Sequence, residues 1–397
     1  MRVAFFNLAL LVAAVAACDA RESAASALHV PAGFVLQRIA DIDGARELAA
    51  LPNGDVIVGT RGSDVYIVAD AEGAAPRPIR IATLDDDRAS GVAFAADRNE
   101  IYVGTTHHVW VIPYRGDRTS SQPRAIADVR GGSVAPGTDG DEHLTTSVAY
   151  ADGMLYVSAG SSCNATMDGG DQPCAEVDPT RAAISVMRPD GSGSTLRARR
   201  IRNAVALAVN PQTHAVWIGD AGQDGLPFGH PYEFLDDLSA HPAVADYGWP
   251  ECEENRHAYW GGADCAKTVA PLVELPAYST ILGAAFYPAH PTGTYAFPQE
   301  YRGGLFATAH GSWHRTRVGC YAAQPRLVFV PMNGDRPTKA VNWNDPTTQW
   351  TDFVSGFQGG CTFRTGRPTG IAIGSQGSLF FSDDAAGGVY RVRPLRS

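Results

Sequence analysis

Residues 367–384, "RPTGIAIGSQGSLFFSDD", read as two short strands around a tight polar turn. The first run, "TGIAI" (369–373), mixes small and β-branched residues, and the second, "LFFSDD" (379–384), is largely aromatic. Such side chains fit a pleated, half-buried surface, whereas the intervening "SQGS" supplies turn chemistry. The same unit recurs along the chain. Small-residue runs stand at "RELAAL" (46–51), "SGVAF" (90–94), "TSVAY" (146–150), "VALAV" (205–209) and "LGAAF" (282–286). Each is followed by a second run ("VIVGT", "IYVGT", "LYVSAG", "VWIGDAG", "LFATAHG") and in most units by a third, such as "VYIV", "VWVI" or "LVFV". No long segment carries a helical period.

Six units of three or four strands describe an all-β chain, a six-bladed β-propeller with long inter-strand insertions after units three, four and five. A pair of β-sandwiches would use similar strands but would not explain the sixfold recurrence. Residues 29–397 are expected to form this single domain, its last blade closed by the tail "VYRVRPLRS".

The first residues indicate the compartment. "MRVAFFNLALLVAAVAAC" (1–18) has an early arginine, a short apolar run and small residues before Cys18, the pattern of an export signal. Val15-Ala16-Ala17-Cys18 resembles a bacterial lipobox, so Cys18 is the expected lipidation site, with residues 19–28 a flexible leader. Ordinary cleavage near the alanines is the alternative. Six cysteines remain: Cys163, Cys174, Cys252, Cys265, Cys320 and Cys361. Short loops favour Cys163–Cys174 and Cys252–Cys265, leaving Cys320 with Cys361, and an oxidising periplasm is the economical setting. No CxxC occurs and no histidine pair has zinc spacing, which argues against a metal–thiolate site. A net charge of −10 argues against nucleic acid or an anionic membrane surface as partner. Lys267 and Lys339 are the only lysines, so a carboxylate-rich ligand would be held mostly by arginine.

In a propeller, residues just before each innermost strand converge on the central channel. Those positions hold Arg46, Arg88, His143, Arg202 with Asn203, Thr280, and Arg364 with Arg367. Convergent guanidinium groups suit a polyanion because each can pair a carboxylate through two parallel bonds. Taken singly, such arginines also bond loop carbonyls. His143 is the candidate general base, with Asp141 and Glu142 beside it to orient the ring; a structural histidine is the alternative. "GDAGQDGLPFGHPYEFLDD" (219–237) is rich in the hard oxygen donors calcium prefers, although its spacing is no EF-hand. "AHGSWHR" (309–315) places His310, His314 and Arg315 around Trp313, a set that could stack on a flat ring or plug a corner of the core.

With these motifs the chain resembles the soluble pyrroloquinoline quinone (PQQ) dependent sugar dehydrogenases, the glucose/sorbosone dehydrogenase family, nearest the L-sorbosone and pyranose dehydrogenase branch. The resemblance spans roughly residues 28–396 and rests on "HLTTSVAYADGMLYVSAGSSCN" (143–164), "RNAVALAVNPQTHAVWIGDAG" (202–222), "DYGWPEC" (246–252), "AHGSWHR" and the opening hairpin, in that order. It implies a six-bladed propeller binding PQQ, a flat triacid quinone, over the channel mouth on Ca2+. It implies that His143 takes the sugar hydroxyl proton and that Arg202 and Asn203 contact the quinone. Gln223 would bind the cofactor, Asp224 and Gly225 would offer carbonyls to calcium, and Arg367 and Arg364 would hold cofactor carboxylates. Arg46, His310 and Arg315 are further expected contacts. The chain departs from the family at "QDGLPFGH", where related glucose enzymes have glycine-proline after the glutamine, and at His314, where asparagine is more usual.

The expected activity is oxidation of an aldose hemiacetal or sugar aldehyde, with electrons passing to a cytochrome c or a quinone. A calcium-dependent lactonase would instead need carboxylates clustered on the axis, and a non-catalytic propeller would carry a decayed cofactor site.

Overall fold

The computed structural model describes residues 28–116, 118, 122–130, 142–164, 176, 178–224, 226, 229–259, 262–313, 322–361 and 363–395. The expected signal segment with Cys18, and the expected leader except Leu28, lie outside the described residues. Among those described, no helix is long and apolar enough to cross a membrane.

Six sheets of four or five strands make up the molecule. Their innermost strands are Ala45–Ala50, Gly91–Ala95, Val148–Ala151, Ala204–Val209, Ile281–Phe286 and Pro368–Ile373. Each lies at one of the small-residue runs, and each packs on the next around a closed ring. The ring explains the small residues. A Cβ on Gly91 would stand 2.3 Å from the Thr146 carbonyl oxygen of the neighbouring blade, and one on Gly370 2.4 Å from that of Arg46. Neither approach leaves room for a side chain. Hydroxyl groups stitch the same seams: Thr369 donates to the Ala45 carbonyl at 3.0 Å, and Ser90 to that of Thr60 at 3.2 Å.

Outward from the axis, an apolar cluster fills each junction between blades. Trp217 and Leu235 of the fourth blade meet Phe286 and Val328 of the fifth, and Phe306 and Phe353 of the fifth meet Phe381 and Tyr390 of the sixth. The other four junctions are filled in the same way. Burying each such side chain contributes about 1.5–3 kcal/mol, which is how the ring of sheets holds together.

The tail does not close the ring alone. Gly388–Pro394 is the third strand of the last blade, and the N-terminal strand Phe34–Asp41 pairs antiparallel outside it, from Phe34 opposite Pro394 to Asp41 opposite Gly388. The insertion after Asp237 sends Ala245–Asp246 back to pair in parallel with Thr195–Arg199 of the third blade. It is pinned by the Cys252–Cys265 disulfide, as expected. Cys163 and Cys361 are also disulfide-bonded, while Cys174 and Cys320 lie outside the described residues.

Candidate active site

His143 precedes the inner strand of the third blade in a left-handed conformation, φ +52°, one that costs a non-glycine residue free energy and persists only where surroundings impose it. Two buried arginines impose it. Arg130 donates to the carbonyls of His143 (3.1 Å) and Thr145 (3.0 Å). Arg181 donates to those of Gly160 (2.7 Å), Ser161 (2.7 Å) and Glu142 (2.9 Å). Gly160 completes the seat, since a Cβ there would lie 2.4 Å from that of His143.

The imidazole Nδ1 lies 2.8 Å from the Ser161 hydroxyl and 3.3 Å from the Ser161 carbonyl. Among the described residues, Ser161 and not Glu142 is the hydrogen-bond partner of the ring. Glu142 turns its carbonyl to Arg181, and Asp141 lies outside the described residues. Burial, then the charge of Arg202, with Arg181 and Arg130 adding to it, holds the His143 pKa well below the usual imidazole value, against the opposing Ser161 carbonyl. His143 is therefore a neutral imidazole at physiological pH.

His143, Arg202, Asn203 and Asp224 line one cavity of about 280 Å³, together with Glu233, Tyr278, Thr280 and the strongly exposed Trp313. Arg202 is held by the carbonyl of Ala221 (2.9 Å), by Asn164 and by Asp224 (3.5 Å). Asn203 presents a buried side-chain oxygen with no hydrogen-bond partner among the described residues.

Behind this wall, blades one, five and six contribute a second cluster. Asp384 accepts from Arg46 at 3.0 Å and meets His310 Nε2 at 2.8 Å, with Arg61 at 3.5 Å. These cations and the imidazole hold the Asp384 carboxyl below its usual range although burial opposes them, so it is ionised. Burial lowers the His310 pKa to about 3, leaving its Nδ1 neutral and unpartnered. Arg367 donates to the carbonyls of His310 (3.1 Å) and Gly311, and lies 4.1 Å above the Trp313 ring. Burial, then Arg364 nearby, depresses its pKa to about 9. Arg46 also reaches Thr145 at 3.4 Å, joining the two clusters around the axis.

Some expected members lie elsewhere. The Gln223 amide donates to Glu253 at 2.7 Å and to the Pro250 carbonyl, and it does not line the cavity. Arg364 sits on a short hairpin, donating to Gln358 and Ala323. Arg88, at the second entrance, is half exposed beside Asp87. Gly225, His314 and Arg315 lie outside the described residues. The acids Asp220 and Glu233 were not anticipated. Burial raises their pKa values to about 7 and about 8, and each accepts a backbone N–H, from Asn203 (2.7 Å) and Ile281 (2.9 Å). Arg130 and Arg181 were missed as well, because neither lies at an entrance.

Residues 251–394 match the TrAA12-like family. Over 386 residues the chain is 22 % identical to an uncharacterized protein of Borreliella burgdorferi, covering 94 % of this chain and 92 % of that one. It superposes on the holo PQQ domain of pyranose dehydrogenase from Coprinopsis cinerea with a TM-score of 0.73 at 18 % identity, over 92 % of this chain and 97 % of that one. For a calcium structure of a family AA12 enzyme from Trichoderma reesei the values are 0.71 and 18 %, over 93 % and 97 %. For the apo soluble aldose sugar dehydrogenase of Escherichia coli they are 0.60 and 17 %, over 91 % and 100 %. The matched family and these neighbours fall in the group that the sequence motifs resemble, and the superpositions establish the six-bladed propeller.

Proposed function

We propose that the chain is a PQQ- and calcium-dependent oxidoreductase that oxidises an aldose hemiacetal or sugar aldehyde. One observation carries the reading: a neutral, backbone-clamped imidazole lines the same cavity as Arg202, and Arg46 and Arg367 stand in the adjoining cluster. The fit to a flat polyanion is electrostatic. Burial, then Arg364, depresses the Arg367 pKa, and burial, then Arg202, depresses that of His143, so a bound triacid would offset the cationic part of each shift. The unpartnered Asn203 oxygen and His310 Nδ1 are further polar atoms awaiting a ligand.

Arg46 and Arg367 would hold the carboxylates, with Arg202 and Asn203 on the quinone and Asp224 and Gly225 offering oxygen to calcium. Bound PQQ would supply the two-electron acceptor for the hydride of the sugar carbon. His143 removes the hydroxyl proton, the role a neutral imidazole fills at physiological pH. Its cationic surroundings disfavour the imidazolium, so the proton is passed on readily and the base is restored. Arg202 stabilises negative charge as it develops, a donor set in place before reaction.

The deciding experiment is reconstitution of the purified apoprotein with PQQ and Ca2+. Quinone absorbance retained through dialysis, with dye reduction by aldoses, is the expected result. Lactone hydrolysis with calcium alone, and no PQQ retention, would replace the reading with a lactonase. The same proposal places the protein in the bacterial periplasm, lipid-anchored through Cys18, with a cytochrome c or a quinone receiving the electrons. Release of Cys18→Ser from the membrane fraction tests the anchor.

A further inference from the structure

We propose that Ser161 is a positioning residue for His143, fixing the imidazole as the Nδ1–H tautomer and leaving Nε2 as the proton-accepting atom. The inference rests on the dehydrogenase reading for its catalytic meaning, but the tautomer itself follows from counting protons. A serine hydroxyl has one proton to donate. That of Ser161 goes to the Cys163 carbonyl at 2.7 Å. The same oxygen lies 2.8 Å from His143 Nδ1, so in this contact it accepts and Nδ1 donates. The other polar atom near Nδ1 is the Ser161 carbonyl at 3.3 Å, which has only lone pairs to offer. Among the described residues, both polar neighbours of Nδ1 are thus acceptors. A neutral ring with Nδ1–H carries its lone pair on Nε2.

The surroundings keep that arrangement in one place. Arg181 donates to the Ser161 and Gly160 carbonyls, and Arg130 to that of His143, so ring and hydroxyl are held from both ends of the pair. Among the described residues, the charged groups around the ring are Arg202, Arg130 and Arg181, with Glu142, Asp224 and Glu233 on the cavity wall. None of these supplies Nδ1 with a carboxylate partner among the described hydrogen bonds. A hydroxyl orients the ring without adding the negative charge that would strengthen it as a base. In the proton-transfer step the substrate O–H bond breaks as the Nε2–H bond forms.

The test is imidazole 15N NMR of the full-length mature chain, without and with PQQ and Ca2+, the His143 signals being assigned by their loss in His143→Ala. A protonated Nδ1 and an unprotonated Nε2 are expected at pH 7. An Nε2–H tautomer, or an imidazolium at pH 7, would overturn the proposal. Ser161→Ala should mix the tautomers and lower kcat by about ten- to a hundredfold with little change in KM, less than loss of the base itself. Ser161→Thr should restore both. Ser161→Asp should raise the acid limb of the pH profile, which a merely structural serine would not do. If the 15N spectra are as expected but no sugar is oxidised, the tautomer stands and the dehydrogenase reading alone falls. An unchanged tautomer and unchanged kcat in Ser161→Ala would remove Ser161 from the site.

Discussion

Arg181 offers a quantitative handle on the base, because its charge and its hydrogen bonds are separable by substitution. Its Nη2 lies 2.7 Å from the Ser161 carbonyl, which lies 3.3 Å from His143 Nδ1. The two nitrogens are therefore no more than 2.7 + 3.3 = 6.0 Å apart. At an effective dielectric constant of about 20, a positive charge at that distance disfavours the imidazolium by about 3 kcal/mol, or about two pKa units. Water in the cavity screens part of this. In Arg181→Met the acid limb of kcat/KM should accordingly move up by about one to two pH units, since removing a like charge raises the histidine pKa. The same substitution leaves the Gly160 and Glu142 carbonyls without their guanidinium partner, at about 1–3 kcal/mol each. Arg181→Lys keeps the charge but loses the fork, so it should be destabilised while its pH profile stays near that of the parent. The assays are dye-coupled turnover across pH 4–9 and thermal unfolding of the same preparations. An unshifted limb in a folded Arg181→Met protein would refute the claim that the Arg181 charge helps hold the His143 pKa down.

Other outcomes follow from the same geometry. His143→Ala should retain PQQ yet lose about two to four orders of magnitude in kcat, the usual contribution of a general base; unchanged turnover would return His143 to a structural role. Arg367→Ala should release PQQ on dialysis, because its guanidinium is the one stacked on Trp313 at the cavity edge; full retention would remove it from the cofactor site. Burial raises the carboxyls of Glu47 and Glu233 to about 8 and that of Glu274 to about 9. The folded chain holds these protons after the unfolded chain has released them, so their stabilisation is complete below about pH 4.5 and is lost as pH rises through 8–9. The unfolding midpoint should fall over that range. Glu274→Gln should fall less steeply, and an identical slope would show that Glu274 takes no part.

The sequence disclosed the blades because the axis imposes a composition. Gly91 and Gly370 face neighbouring backbone too closely for any side chain, so the small-residue runs mark inner strands by necessity. The outer strand of the last blade was not legible, because Phe34–Asp41 pairs across the whole chain with Gly388–Pro394 and no local signal links them. At the site, His143, Arg202, Asn203 and Thr280 were found from their place before inner strands, and all four line the cavity. Arg88 shared that place, yet its side chain turned to Asp87 and solvent, since backbone position does not fix where a long side chain goes. Arg130 and Arg181 stayed hidden for the converse reason. They bond carbonyls, which every residue carries, so nothing in the pattern distinguishes an arginine that clamps a loop from one that faces water. Ser161 lay within a quoted motif but took its meaning only from the 2.8 Å contact to His143.

The measurement that bears most directly on the account is an equilibrium titration of the calcium-loaded apoprotein with PQQ, followed by quinone absorbance. Saturation at one molecule per chain, with affinity weakened in Arg46→Ala and Arg367→Ala, is the predicted result. A folded protein that shows no saturable uptake, or uptake indifferent to both arginines, would contradict it.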